Sequence, residues 1–178
     1  CDFERCGSLM TACKPGHFAK MRKESQWLKK ELGYERIDVS PSEMRTEIGT
    51  DAYFGGVVDP LSAGIHPAKY TRGLAAAAKK RGVMFLENCN VDSIDRQGSG
   101  KLLVDTSRGQ IEAKNALIAT NGYTGGLLNT LQRRVMPVGS YIITTEPLSE
   151  ELQRDISPKG RMFYDSKWFL NYFRLTPD

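Results

Sequence analysis

Asn115-Ala116-Leu117-Ile118-Ala119-Thr120-Asn121-Gly122-Tyr123-Thr124 is the stretch on which the reading of the fold turns. Its apolar run, Ala116 to Ala119, is short and stops at a small polar turn, Thr120-Asn121-Gly122. A run of this length bounded by turn residues predicts a buried central strand, and the leucines of residues 125–131 predict a helix after it. Small residues at a strand end let a ligand approach bare backbone, and Gly122 permits a turn that a residue with a Cβ resists. In open α/β sheets, ligands lie beyond the carboxyl ends of strands.

On either side, helical and strand patterns alternate. Residues 6–13 predict a strand after a glycine turn. Residues 17–32 place Phe18, Met21, Leu28 and Leu32 on one helical face, with Ser25 among them and Gly33 as the stop. Ser40-Pro41-Ser42-Glu43 is a helix start, with a cap, a first-turn proline and a glutamate reaching back; the helix is expected to run to about Ile48 before Gly49. Residues 51–59 predict a strand broken by paired glycines. His66-Pro67 opens a second helix with Tyr70, Leu74, Ala77 and Ala78 on its apolar face, closed by Gly82, and Val83 to Glu87 predicts the next strand. Residues 90–112 predict an antiparallel meander with a turn at 97–100. Residues 134–145 predict a long strand that tolerates Pro137 only at an edge or a bulge. Residues 150–160 predict a polar connection, and residues 162–165 and 168–175 two further strands. The class expected is mixed α/β (α+β).

The chain has 178 residues, 40% of them apolar, with a net charge of +4. The stretch 14–36, with seven Lys/Arg against three Glu, carries all of that excess and predicts one solvated basic helix rather than the broad basic footprint of a nucleic-acid binder. No run approaches the ~20 apolar residues of a membrane span, and the first residues do not resemble a signal peptide. The chain starts without Met and ends soon after a strand-like run, so an excised fragment is expected. Cys1, Cys6, Cys13 and Cys89 form no CxxC pair, and neither His17 nor His66 stands at ligand spacing from them. Free thiols in a reducing, cytoplasmic setting are expected, with no metal site.

Several features recur in a fixed order: Val57-Val58-Asp59-Pro60, Gly64-Ile65-His66-Pro67 and a helix, Gly82-Val83, Asn90-Val91, a meander, Ala116 to Gly122, and Pro137-Val138-Gly139-Ser140-Tyr141 on to Glu146-Pro147-Leu148. This ordered set resembles the FAD-dependent amine and D-amino-acid oxidase family, of the glycine oxidase, sarcosine oxidase and gamma-glutamylputrescine oxidoreductase type. Asn171-Tyr172-Phe173-Arg174-Leu175 resembles the strand before the family's second flavin-binding segment. The resemblance implies a substrate-domain mixed sheet plus part of an FAD-binding Rossmann-like domain. It divides the chain into residues 1–50 on the substrate side, 51–132 as a partial FAD-binding domain, and 133–178 as further substrate-domain strands. Val91 matches the position whose backbone meets the adenine end, and Ala119, Thr120 and Gly122 match the family's strand end near the dinucleotide, with Asn121 an added polar residue. Tyr141, Tyr172 and Arg174 are the substrate-side candidates, Arg174 as a carboxylate clamp.

The resemblance assigns no catalytic residue, because the flavin accepts a hydride and the protein orients the substrate. His66 is expected to start a helix rather than to act as a base. No Gly-x-Gly-x-x-Gly occurs in the chain, so FAD is expected in a full-length protein and not in this chain alone. The other reading is a non-catalytic binding or interaction module on the same scaffold. The expected partner is a small amine or amino acid; its identity, oxidase against dehydrogenase chemistry, flavin attachment and oligomeric state stay open.

Overall fold

The computed structural model describes residues 1–98 and 100–176. In chain order the elements are β1 (Ser8–Thr11), α1 (Pro15–Leu32), β2 (Ile37–Val39), a 3₁₀ helix (Pro41–Thr46), β3 (Gly56–Asp59), α2 (Pro67–Lys80), β4 (Val91–Arg96), β5 (Leu102–Thr106), β6 (Gly109–Ala113), a 3₁₀ turn (Asn121–Tyr123), α3 (Asn129–Gln132), α4 (Glu150–Ile156), β7 (Met162–Asp165) and β8 (Tyr172–Phe173). They fall into two compact units, residues 1–78 with 145–178, and residues 79–144.

The first unit is built on a five-stranded mixed sheet in the order β2-β3-β1-β7-β8. β1 runs antiparallel to β3 and parallel to β7, with Leu9 opposite both Val58 and Phe163. Side chains alternate across a strand, so those three residues share one face and form a core with Val39, Met44 and Ile48. The other face carries Met10 and Val57, which pack with Ala12, Met21 and Phe18 of the α1 side. Met21 and Ser25 are the buried positions of α1, as the helical spacing requires, whereas Leu32 and Trp27 remain exposed. Gly33 takes the left-handed conformation (φ 63°), and its N–H and that of Tyr34 close the last turn.

Ser40 starts its helix as expected: its N–H (3.0 Å) and hydroxyl (2.6 Å) both donate to the Glu43 carboxylate. The helix is 3₁₀ and ends at Thr46, short of Ile48. Gly49 has a reason beyond helix termination. An added Cβ there would stand 2.2 Å from the Asp155 carbonyl oxygen, and the Gly49 N–H donates to the Ile156 carbonyl at 3.1 Å. The element that crowds it, α4, falls where a polar connection was expected; the Ser149 hydroxyl accepts the Leu152 N–H (3.3 Å) and caps it.

In the second unit β4, β5 and β6 form the expected antiparallel meander, with an irregularity between Val91 and Ser93. The turn at 97–100 closes through the Gln97 N–H to the Lys101 carbonyl (2.8 Å); Ser99 lies outside the described residues. Three expected strands are absent. Residues 83–87, 116–119 and 134–145 are extended or irregular, and Met84, Leu117 and Ile142 are about nine-tenths exposed (90%, 90% and 92%). A central strand exists only through ladder bonds to neighbours on both sides. No neighbouring strand pairs with these runs among the described residues, so their apolar pattern is not realised as sheet. The helix expected over 125–131 is reduced to the single turn of α3. The strand expected over 168–175 is reduced to β8.

Candidate functional site

The site grows from the end of β8, a strand of two residues held by more than its ladder. The Phe173 ring stacks on the buried Phe163 (centroids 4.9 Å apart), and Tyr172 on Tyr164 (6.3 Å). The β7–β8 connection is tied down by Asp165, whose side chain is fully buried. Its carboxylate accepts the N–H groups of Lys167 (3.1 Å) and Asn171 (3.2 Å), the Asn171 amide (2.8 Å), and the Lys167 ammonium at 3.1 Å. Burial alone would raise this carboxyl, but the donors from Lys167 and Asn171 outweigh it and hold the group below its ordinary value. The strand expected over 168–175 would alternate Trp168, Leu170, Tyr172 and Arg174 onto one face; that face does not form, because residues 166–170 are loop and Trp168 is 94% exposed.

Immediately beyond β8 stands Arg174. Its Nη2 donates to the Ile65 carbonyl at 2.9 Å. Its Nη1 stands 2.9 Å from where a Cβ on Gly64 would be. Glycine at 64 thus leaves room for the exposed guanidinium in this position, from which a side chain there would shift it. The loop that delivers Gly64 is fixed by Asp59, whose carboxylate accepts the Tyr34 hydroxyl (2.6 Å) and the Leu61 N–H (3.0 Å). That bond raises the Tyr34 pKa above its ordinary value. Gly64 then exchanges backbone hydrogen bonds with Glu4, 3.0 Å and 2.8 Å long.

These residues border a cavity of about 450 Å³. Phe3, Ile65, Met162 and Leu175 give it apolar walls; Asp2, Glu4 and Arg174 give it charge. The Asp2 carboxylate is paired with the Lys69 ammonium at 2.6 Å, which holds Asp2 below its ordinary pKa. His66 caps α2: its Nδ1 accepts the Lys69 N–H (3.4 Å) and its carbonyl accepts the Tyr70 N–H (3.0 Å).

The remaining candidates lie in the second unit. Val91 opens β4, an edge strand. Ala119 is exposed. Thr120 bonds the Thr124 hydroxyl (2.7 Å), and the Asn121 side chain accepts the Gly122 N–H (2.8 Å). The left-handed residue of this turn is Asn121 (φ 52°), not Gly122. Asparagine tolerates that conformation because its side chain bonds the local backbone. Tyr141 is exposed. Thus Arg174 and Tyr172 stand together in the first unit, and Val91, residues 119–122 and Tyr141 belong to the second.

The sequence reading missed Glu4 and the seating role of Gly64. Gly64 was visible within Gly64-Ile65-His66-Pro67, but nothing local in Asp2-Phe3-Glu4-Arg5 marks Glu4; only the bridge to Gly64 does. Among the described residues no helix is long and apolar enough to cross a membrane, and no cluster of His, Cys, Asp and Glu is suited to a metal ion.

The family described as DAO, FAD dependent oxidoreductase, matches residues 1–178. Gamma-glutamylputrescine oxidoreductase of Escherichia coli is 33% identical over 181 aligned positions, covering 100% of this chain and 41% of the relative. The chain thus spans well under half the length of that relative. L-proline dehydrogenase from P. horikoshii superposes with a TM-score of 0.74 at 18% identity, over 99% of this chain and 47% of that one. Glycine oxidase from Geobacillus kaustophilus superposes with a TM-score of 0.62 at 18% identity, over 68% and 33%. At such identities the two structures speak for the fold, a mixed α/β arrangement, while the match along every residue carries the assignment. The chain belongs to the DAO family of FAD-dependent oxidoreductases.

Proposed function

We propose that this chain is the central portion of a longer FAD-dependent oxidoreductase that oxidises a small amine or amino acid by hydride transfer to the flavin. The observation that carries this reading is Arg174 on its glycine seat in an apolar-walled cavity, within a chain that matches the family from end to end. A guanidinium held by one carbonyl keeps further N–H donors for a substrate carboxylate, and apolar walls strengthen that contact.

The fit of FAD to the residues present is partial. Val91 starts an edge strand and the Thr120-Asn121-Gly122 turn is exposed, so both leave backbone accessible, which suits the adenine side of a dinucleotide. No Gly-x-Gly-x-x-Gly is present to cradle the pyrophosphate. When bound, FAD supplies the hydride acceptor. The chain's own residues bind and orient: Arg174 meets the carboxylate, with Tyr172 two residues before it on β8 as a further substrate-side candidate, and Tyr141 is a separate candidate within the second unit. Residues 51–132 serve mainly the cofactor and residues 1–50 and 133–178 the substrate, with Gly64 and Ile65 lent to the substrate cavity; this is a division of function rather than of compactness, since β3 bonds into the sheet of β1 and β2. The four thiols, none of them in a disulfide, support a reducing, cytoplasmic setting.

The test is a visible spectrum of the full-length protein followed by anaerobic mixing with a broad panel of amines and amino acids. A flavin band that bleaches with at least one of them is expected. FAD-loaded protein that no amine bleaches would overturn the reading.

A further inference from the structure

We infer that Asp165 is a positioning residue that fixes the register of β8 and thereby places Arg174; what Arg174 then does for the substrate rests on the amine-oxidoreductase reading above. β8 has two residues, Tyr172 and Phe173, and is the last strand of its sheet, so it has a ladder on one side only. The pairing sets Phe173 opposite Phe163 and Tyr172 opposite Tyr164. Ring stacking specifies that pairing weakly. A slip of one residue in either direction keeps one aromatic pair, Tyr172 against Phe163 or Phe173 against Tyr164. Tyr172 is 71% exposed, so burial of its ring does not choose between them.

Asp165 does choose. Asn171 meets it through three groups: its carbonyl accepts the Asp165 N–H at 3.2 Å, its N–H donates to the carboxylate at 3.2 Å, and its side-chain amide donates to the carboxylate at 2.8 Å. A one-residue slip brings Leu170 or Tyr172 opposite Asp165, and neither carries an amide. The carboxylate is fully buried, where an acceptor short of donors is costly, so the native register is the one in which Asn171 faces it. The register is read at one end of the ladder and felt at the other. β7 and β8 run antiparallel, and three residues back from Asp165 is Met162, which borders the Arg174 cavity, about 10 Å away by strand rise. A slip of one residue would move Arg174 by about 3.3 Å and turn its side chain to the other face. The bond from its Nη2 to the Ile65 carbonyl, 2.9 Å long, would then be lost. Asp165 acts through the strand and not by bordering the cavity itself.

The experiment uses full-length, FAD-loaded protein as wild type, Asp165→Asn, Asn171→Leu and Arg174→Lys, and as each of the first two combined with Arg174→Lys. The probe is an amino acid that the wild type oxidises. Asp165→Asn is expected to raise its KM about tenfold with kcat within about threefold and FAD content unchanged. In the Arg174→Lys background the same change is expected to add less than about twofold, because both act through one guanidinium. Losses that multiply in the double variant, or an Asp165→Asn that melts earlier with KM unchanged, overturn the inference. Where Asp165→Asn does not fold, Asn171→Leu carries the same comparison, with an expected rise in KM of about fivefold that vanishes beside Arg174→Lys. The register itself is read without turnover by introducing Tyr164→Cys and Tyr172→Cys together, which stand opposed across the ladder, and mapping the disulfide after mild oxidation. Its yield is expected to fall at least threefold when Asp165→Asn or Asn171→Leu is added; equal yields overturn the register role. If no amine reduces the wild-type flavin, the oxidoreductase reading falls, and the cross-link alone decides whether Asp165 sets the register.

Discussion

Arg174 was legible in the sequence as a candidate carboxylate clamp close to Tyr172, but its seat was not, since that depends on Gly64 and Ile65 being brought to it by folding. Lysine at this position has a point charge and no fork, so it can meet the Ile65 carbonyl or a carboxylate but not hold both in plane. In the full-length protein Arg174→Lys is expected to lower kcat/KM for carboxylate-bearing amines by roughly 30-fold or more, corresponding to about 2 kcal/mol, with FAD content unchanged. A loss under about threefold with flavin still bound would remove Arg174 from the substrate site. Glu47 shows a second kind of residue, one whose role is structural and which no local pattern announces. It is buried against the core, where it accepts from Arg161 and from Lys159 (2.7 Å). Burial alone would raise its pKa; the two cations outweigh burial and hold it below the ordinary 4.5. A depressed folded-state pKa means that its contribution to stability is complete above about pH 4.5 and is lost as pH falls through the lower folded value. Glu47→Gln leaves Arg161 without its anion in a largely buried position and is expected to cost about 3 kcal/mol at pH 7. In urea titrations the difference between variant and wild type should shrink on acidification from pH 6 to pH 3; a pH-independent difference would show that packing, not charge, explains the loss.

At the scale of elements, the sequence served well wherever local rules suffice. α1 with its glycine stop, the Ser40–Glu43 start, the proline-initiated α2 and the β4-β5-β6 meander all follow from spacing, caps and turn chemistry within a few residues. It failed in two ways. α4 was hidden by a polar composition, although Ser149 followed by two glutamates is a helix start in its own right. The apolar runs 83–87, 116–119 and 134–145 were read as strands because their composition asks for burial, and burial in a sheet is a property of neighbours rather than of the run. The composition remains a physical fact: Met84, Leu117 and Ile142 are about 90%, 90% and 92% exposed here, a state that apolar segments leave when a covering surface is offered. In the full-length protein these three runs are expected to form ladders with segments outside residues 1–178. Hydrogen–deuterium exchange should then show their amides protected at least tenfold more than the same amides in the isolated chain. Equal, fast exchange in both would mean that the runs stay irregular in the longer protein too.

On the scale of the whole molecule, the two units differ in a way that bears on cofactor retention. The first unit has a packed core on both faces of a mixed sheet and a cavity with its charged groups in place. The second has a meander with β4 at its edge and the exposed Thr120-Asn121-Gly122 turn, the proposed dinucleotide side. A flavin dinucleotide brings two phosphates, and their negative charge is ordinarily met by backbone N–H groups at a helix N-terminus after a glycine-rich turn. None of the 17 glycines here stands in that pattern. The basic residues of 14–36 do not substitute for it, since they lie along α1 and its C-terminal end, where Arg22, Lys29 and Arg36 are already within ion-pair distance of Asp38, Glu35 and Glu24. Losing the pyrophosphate contacts removes several charge-assisted hydrogen bonds, each worth about 1.5–3 kcal/mol, enough to move a tight cofactor into the range that dialysis strips. The isolated 178-residue chain is therefore expected to purify colourless, and to remain so after incubation with excess FAD and gel filtration, whereas the full-length protein emerges yellow. A flavin absorbance band that stays with the isolated chain through the column would show that the edge of β4 and the residue 119–122 turn hold the dinucleotide without a glycine cradle, and would move the phosphate-binding role onto residues of this chain.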